Sequence, residues 1–395
     1  MTVHPAPDVP KPVTWLPESD RAWRDTVAGF AGQCVGPRVQ AMDEAARIDP
    51  DLVQELFSAG LMGVEIPEMY GGAGRDLFAV ALTIEEIARV DPSVAVLVDV
   101  QNALVASALL RHGDGDARRR HLPRLANGTV GAYAISEPDA GSDAFAGRTR
   151  AVADGGGFVL DGAKRWISGA AEAGLFVVFA RLVDVGLTAF LVDRGSAGLT
   201  VGPPIAKMGI RASSTCDVTF EGVRVGRRDV LGRPGAGELL AAETLNVGKV
   251  GIAAQLVGLA QGVLDAATGY ASRREQFGQP IAAYQGVSFP LARLAAELQA
   301  ARALLYDTTR LLQHGGSPAQ RLRATAMAKY VASEVAERAA ALGVETLGAN
   351  GFIPGYGVEK FFRDAKVGKI YEGTSNMQFR TIAATTGRVS DRPEG

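Results

Sequence analysis

Four short stretches hold most of the residues in this 395-residue chain whose types could do chemistry. They are Ala132-Tyr133-Ala134-Ile135-Ser136-Glu137-Pro138-Asp139-Ala140-Gly141-Ser142-Asp143, then Trp166-Ile167-Ser168, then Arg274-Glu275-Gln276-Phe277-Gly278, and finally Ile370-Tyr371-Glu372-Gly373-Thr374-Ser375-Asn376. Standing alone, a glutamate before glycine is most often a solvated or capping residue, and Glu137 to Gly141 reads as turn punctuation. Several chemistries can be set aside at once. Ser142 beside Gly141 has no G-x-S-x-G elbow, and none of the four histidines is marked as its base. No G-x-G-x-x-G opens a βαβ unit and no G-x-x-x-x-G-K-[ST] is present, which removes the usual dinucleotide and phosphate cradles. His4, His112, His121 and His314, with Cys34 and Cys216, show no metal-ligand spacing, so no metal site is expected.

The elements that must position these motifs follow from pattern. The chain is 47% hydrophobic and 21% charged with two cysteines, which excludes a disordered protein and a disulfide scaffold. Forty-one basic against 43 acidic residues, with no basic stripe, exclude nucleic acid as a partner. The length exceeds what one core supports, so two or three domains are expected. No apolar run is read as approaching the roughly 20 residues of a membrane span, and the N-terminus lacks the basic-then-apolar order of a secretory signal. A cytoplasmic protein is expected. Five prolines predict a flexible arm over 1–17. Helical spacing over 18–128, with Asp49-Pro50 as a helix start and Asp91-Pro92 as a break, gives an N-terminal helical domain. Glycine-punctuated runs (158–160, 175–180, 187–192) and alternation at Cys216, Val218 and Phe220 make 129–234 a β domain, with Glu221-Gly222 read as a turn. Helical spacing returns over 235–386, notably Val287 to Leu312 and Thr325 to Leu342, before a tail at 387–395.

In this order, the four motifs resemble those of the acyl-CoA dehydrogenase family, along nearly the whole chain. Ala212 to Cys216, Gly251 to Gln255 and Ser168 are most similar to its short and branched-chain group. The resemblance implies an α+β fold: an N-terminal helical domain, a central β-barrel or sandwich, and a C-terminal four-helix bundle. It also implies FAD as cofactor and α,β-dehydrogenation of an acyl thioester. A thioester α-proton is weakly acidic, so such chemistry needs a carboxylate against it while hydride leaves the β-carbon for flavin N5. Glu372 is the candidate base, in an apolar frame that would raise its pKa, and Gly373 would let substrate approach. Some relatives carry the base on the helix entered near residue 246, but the matching position here is Gly248. Tyr133, Ile135, Ser136, Gly141, Ser142, Trp166, Ile167 and Ser168 match flavin-contacting positions, as do Thr374 and Asn376. Arg274, Phe277, Gln285, Glu345, Gly348 and Ala349 resemble segments that embrace the adenosine and pyrophosphate of a neighbouring subunit's FAD, which implies a homotetramer.

For substrate, Ser142 matches a thioester-contacting serine, and Asn246, Lys249, Tyr371 and Gly373 match substrate-side positions. Lys249 replaces the usual arginine and Asn246 the usual aspartate, exchanging a planar fork for a point charge. The expected substrate is a short or 2-methyl-branched acyl-CoA, with an electron-transfer flavoprotein as acceptor. Glu238 in place of an aromatic residue and the short Leu182 to Leu187 connection keep an acyl-carrier-protein thioester as the alternative. A flavin-bearing, acyl-binding scaffold without turnover is the reading from another class.

Overall fold

In the computed structural model, residues 12–386 are described. Residues 1–11 of the expected arm and the tail at 387–395 lie outside them. The rest of the arm is docked: Leu16 is buried, and the Arg310 guanidinium donates to the carbonyls of Val13 and Trp15.

Among the described residues, seven α-helices precede the sheet: α1 (Glu18–Phe30), α2 (Val39–Ala45), α3 (Pro50–Ser58), α4 (Leu77–Ala88), α5 (Pro92–Asp99), α6 (Ser107–His112) and α7 (Gly115–Ala126). Their starts follow local chemistry. The Asp49 carboxylate accepts from Asp51 N at 3.0 Å and Asp91 from Ser93 N at 2.8 Å, each one residue ahead of a proline that needs no donor partner. The helix begun at Pro92 continues through a π-wound stretch, Val100–Ala106, into α6.

Eight strands form one sheet: β1 (Val130–Ala134), β2 (Arg150–Asp154), β3 (Gly157–Ser168), β4 (Ala173–Leu182), β5 (Gly186–Asp193), β6 (Leu199–Val201), β7 (Thr215–Gly226) and β8 (Val230–Leu231). The order is β6-β7-β3-β2-β4-β5-β8, with β1 parallel to β4. Period-two alternation on β4 feeds two cores: Phe176, Val178 and Ala180 join an all-strand core, whereas Leu175, Val177 and Phe179 face the N-terminal helices. The turn expected at Glu221-Gly222 is instead a bulge inside β7. Gly222, at φ +65°, donates to the Asp161 carboxylate at 2.7 Å, and the buried set shifts phase from 216, 218 and 220 to 223 and 225.

The C-terminal part is built on three long helices, α8 (Gly237–Arg273), α9 (Gln285–His314) and α10 (Pro318–Leu347), with α11 (Val358–Ala365) and α12 (Ser375–Thr385) packed against α10. A hairpin of β9 (Glu275–Gln276) and β10 (Gln279–Pro280) joins α8 to α9. Contacts Thr325 to Asn246 near one end and Asn350 to Tyr270 near the other show α8 and α10 running parallel. The expectation of no span-length apolar run is corrected here. Pro92–His112 and Gly237–Arg273 are long and apolar enough by composition, but the windows concerned are 94% and 78% buried inside the protein. Both helices are apolar all round because they pack against other elements on nearly every face.

Candidate active site

Glu372 lies in the bend between α11 and α12, in the left-handed backbone region at φ +51°, and Gly373 follows at +87°. For a non-glycine residue that conformation costs ~1–2 kcal/mol, so the surrounding bonds must hold it. The amide of Gln378, on the first turn of α12, donates to the carbonyls of both Glu372 (3.0 Å) and Gly373 (2.8 Å). The Lys329 ammonium, from the middle of α10, donates to the Gly373 carbonyl at 2.7 Å. Thr374 caps α12 through the Met377 amide. The φ value favours glycine at 373, and a side chain there would push against the Gln378 amide nitrogen at 2.7 Å.

The bend lays the Glu372 carboxyl on α8. A Cβ at Gly248 would stand 3.0 Å from Glu372 Oε2 and 2.7 Å from the tip of Leu104. The alternative base position and Glu372 therefore converge on one point in space, approached from different elements. One turn along α8, the Asp99 carboxyl fills the side-chain space of Gly251. Tyr371 is tied down by its hydroxyl donating to Gln255 at 2.6 Å, and Gln255 donates in turn to the Pro92 carbonyl.

Electrostatics bring the titration of this carboxyl toward neutrality. Glu372 Oε2 and Asp99 Oδ1 are shut off from solvent with no hydrogen-bond partner among the described residues. Burial pushes the Glu372 pKa up to about 7, against the pull of Lys249 and Lys329, which lower it. Asp99 is raised well above the usual carboxylate range, by burial and then by the Glu372 charge, both of which favour its neutral form. Burial pulls Lys329 down to about 8 and lowers Lys249 as well, with Glu372 opposing both shifts. Lys249 donates to the Asn246 side chain at 3.2 Å, and Thr325 donates to the same oxygen.

Two of the flavin-matching segments are clamped to each other, and Tyr133 of the first feels the Glu372 charge. The buried Lys164 ammonium on β3 pairs with Glu137 at 2.7 Å and donates to the Ile135 carbonyl at 3.1 Å, while Arg165 N donates to the Ser136 carbonyl at 2.9 Å. Glu137 also accepts from the backbone amides of Arg148 and Thr149. The segments around Ser136 and Trp166 are thus clamped side by side. Trp166 sits at a register shift between β3 and β7, at φ +63° and 54% exposed, so its ring leaves the sheet instead of joining the core. Ile167 is buried, Ser168 pairs with Thr215, and Gly141 and Ser142 lie on an exposed turn after β1. The exposed Trp166 ring and the hydroxyl-bearing segment clamped beside it suit a flat, polar-edged group such as an isoalloxazine.

The remaining matching residues are not brought here. Arg274 is 26 residues beyond Gly248 on α8, about 39 Å at ~1.5 Å rise per residue. Phe277 (96% exposed, φ +53°), Gln285 at the start of α9, and Glu345, Gly348 and Ala349 at the end of α10 are all on the surface. The structure thus separates the residue sets within one chain. Lys329, Gln378, Asp99 and Lys164 were not singled out by sequence. The available signal was a lysine on the core face of α10 with Ala326, Ala328 and Ala332 around it, where a charge needs a buried partner.

Comparison with known proteins gives the family. Residues 17–129, 132–223 and 235–387 match the acyl-CoA dehydrogenase N-terminal, middle and C-terminal domain models, respectively. The chain is 46% identical over 378 residues to a probable short/branched chain specific acyl-CoA dehydrogenase of Dictyostelium discoideum, covering 94% of this chain and 91% of that one. It is similar to the butyryl-CoA dehydrogenase of Megasphaera elsdenii (TM-score 0.90, 32% identity, 94% and 98% covered). It also matches a solved chain described with the electron transferring flavoprotein of Acidaminococcus fermentans (TM-score 0.92, 34% identity, 95% and 100% covered).

Proposed function

Since the chain belongs to the acyl-CoA dehydrogenase family, is an oxidoreductase acting on acyl-CoA and shares the family's FAD, we propose that Glu372 is its α-proton acceptor and that a short or 2-methyl-branched acyl-CoA is its substrate. The observation that carries the reading is the Glu372 carboxyl itself: half-buried, with Oε2 shut off from solvent and unpartnered among the described residues, and poised near neutrality by desolvation against two lysines. A general base works best when its pKa lies near the working pH. The carboxylate takes the α-proton, and the product is the trans-2-enoyl thioester. FAD, when bound, supplies the acceptor for the hydride that leaves the β-carbon.

This chain's own residues do the rest. Tyr133, Ile135, Ser136, Trp166, Ile167, Ser168, Thr374 and Asn376 would hold the flavin end of the cofactor beside Glu372. Arg274, Phe277, Gln285, Glu345, Gly348 and Ala349 would hold the adenosine end of a cofactor bound mainly to another copy, within a homotetramer. Asn246, Lys249, Ser142 and Tyr371 flank the thioester. Asp99 supports a short chain: it closes the α8 face one turn, about 4.5 Å, beyond Gly248, room for only a few carbon–carbon bonds past the reacting atoms. The similarity to a probable short/branched chain specific acyl-CoA dehydrogenase of Dictyostelium and to the butyryl-CoA dehydrogenase of Megasphaera points the same way. Electrons would then leave to an electron-transfer flavoprotein, a reading supported by the Acidaminococcus match.

The test is an anaerobic titration of the FAD-loaded protein with isobutyryl-, 2-methylbutyryl- and butyryl-CoA. Bleaching of oxidised flavin by these thioesters, and its recovery on adding electron-transfer flavoprotein, is the expected result. Bleaching by the same acyl groups only on an acyl carrier protein would overturn the carrier assigned here. Bound flavin that no thioester reduces would leave a scaffold without turnover.

A further inference from the structure

A catalytic carboxylate carried on a strained bend is only as well placed as the bonds that hold that bend. Glu372 has no regular secondary structure to fix it, because α11 ends at Ala365 and α12 begins at Ser375. Its conformation is one a glutamate does not favour, and relaxing φ to an ordinary negative value would swing the carboxyl off α8. Both carbonyls of the bend are nevertheless bonded. The Gln378 amide takes the Glu372 and Gly373 carbonyls together, and the fully buried Lys329 ammonium takes the Gly373 carbonyl from the opposite element.

We propose that Lys329 and Gln378 are positioning residues for proton transfer, clamping the left-handed Glu372–Gly373 bend so that the Glu372 carboxyl stays on the Gly248 face of α8. The inference rests on the reading of Glu372 as base. Lys329 has a second effect that Gln378 lacks. It is a cation facing Glu372 from α10, beside Lys249 from α8, while Asp99 from α5, Tyr133 from β1 and the neighbouring Tyr371 face the same carboxyl. The two clamp residues therefore predict different signatures, one electrostatic and geometric, the other geometric only.

The experiment compares Lys329→Met and Gln378→Met with the parent and with Glu372→Gln, all FAD-loaded. It follows the limiting rate of flavin bleaching by 2-methylbutyryl-CoA and the KM, from pH 5.5 to 9. Methionine preserves length and apolar packing in both places. The limiting rate should fall on the order of 10- to 100-fold in each variant, as expected for a reacting group displaced by about an ångström, with KM within about threefold. In Lys329→Met the acid limb should also move to higher pH, since a charge that favours the carboxylate is gone. In Gln378→Met the limb should stay. Infrared difference spectra of the carboxyl stretch, with Glu372→Gln as the assignment control, read the same protonation without turnover.

Parent-like rates and limbs in both methionine variants, beside an inactive Glu372→Gln, would overturn the clamp. So would a raised KM with an unchanged limiting rate and limb, which is what a merely structural role gives. If Lys329→Met does not fold, Gln378→Met alone decides through its rate and KM. If Glu372→Gln retains the parent's rate, it is the base assignment that has failed.

Discussion

The two ends of the α8/α10 pair treat their functional residues in opposite ways. Near Gly248, the groups around the Glu372 carboxyl are Lys329, Gln378, Lys249, Tyr371 and Asp99, and all but Asp99 are held by hydrogen bonds. About 39 Å along α8, Arg274, Phe277 and Glu345 stand at the surface, and Phe352 and Ile353 add exposed apolar area beside them. On the proposed function, the difference would put proton chemistry in cis, where preorganisation needs a rigid shell, and leave grip on the cofactor's far half for assembly to complete. Apolar side chains so exposed at one end of a bundle are what an interface between copies would cover.

The largest effect should come from breaking the first end outright. Glu372→Gln is expected to lower the rate of substrate-driven flavin bleaching at least ~1,000-fold, within the range assigned to a general base, with flavin still bound. In the parent, the same rate should climb with pH through about 7, because only the carboxylate accepts a proton and burial holds the pKa there. Stopped-flow absorbance over pH 5.5–9 checks both. A pH-independent rate in the parent would remove Glu372 from the step.

Next is the clamp that aligns the two flavin-side segments. Lys164→Met leaves Glu137 buried beside the Arg148 and Thr149 amides but without its cation. Breaking a buried ion pair on one side costs about 3–5 kcal/mol, so thermal unfolding should shift down by many degrees. FAD should be lost even where the variant is folded, because Ile135, Ser136 and Trp166 share that anchor. Calorimetry and flavin fluorescence on release report the two parts. Gly248→Ala should do less. Its Cβ meets the ends of two side chains, Leu104 and Glu372, which can shift, so the fold is kept while the carboxyl is displaced. A fall in bleaching rate on the order of 10-fold is expected, with little change in melting temperature.

The contrast between the two ends also explains what was legible in the sequence. Motifs whose meaning is local were readable: the Asp49-Pro50 helix start, the break at Asp91-Pro92 and the α9 periodicity each correspond to a single local feature. Features that arise from distant parts of the chain meeting were not. Lys329 reads as one more helical residue until the fold brings it against a carbonyl 44 positions later. Nothing in the order Tyr371-Glu372-Gly373 announces a left-handed glutamate, and the Glu221-Gly222 pair becomes a bulge instead of a turn only because β3 continues past it. The apolar stretches at Pro92 and Gly237 were underestimated because they are interspersed with Gln101, Asn102, Thr244 and Gln255, which are buried too and, in Gln101, Asn102 and Gln255, satisfied by backbone carbonyls.

The smallest expected effect tests the far end. Phe277→Ser changes a side chain that touches little within its own chain, so melting of the isolated fold should hardly move. If Phe277 grips another copy's cofactor, FAD affinity should weaken about tenfold, the ~1.4 kcal/mol expected for losing one aromatic contact, while sites that keep FAD bleach at the parent's rate. Co-assembly makes the distinction sharper. A Glu372→Gln chain has an intact Arg274 to lend, and an Arg274→Ala chain has an intact base. Refolded together, the two should recover bleaching that neither shows alone at limiting FAD, because each mixed site draws its base from one chain and its adenosine grip from the other. Absence of any recovery in demonstrably mixed assemblies would mean that both halves of the site are built within one chain, and the contrast between the two ends would lose its functional meaning.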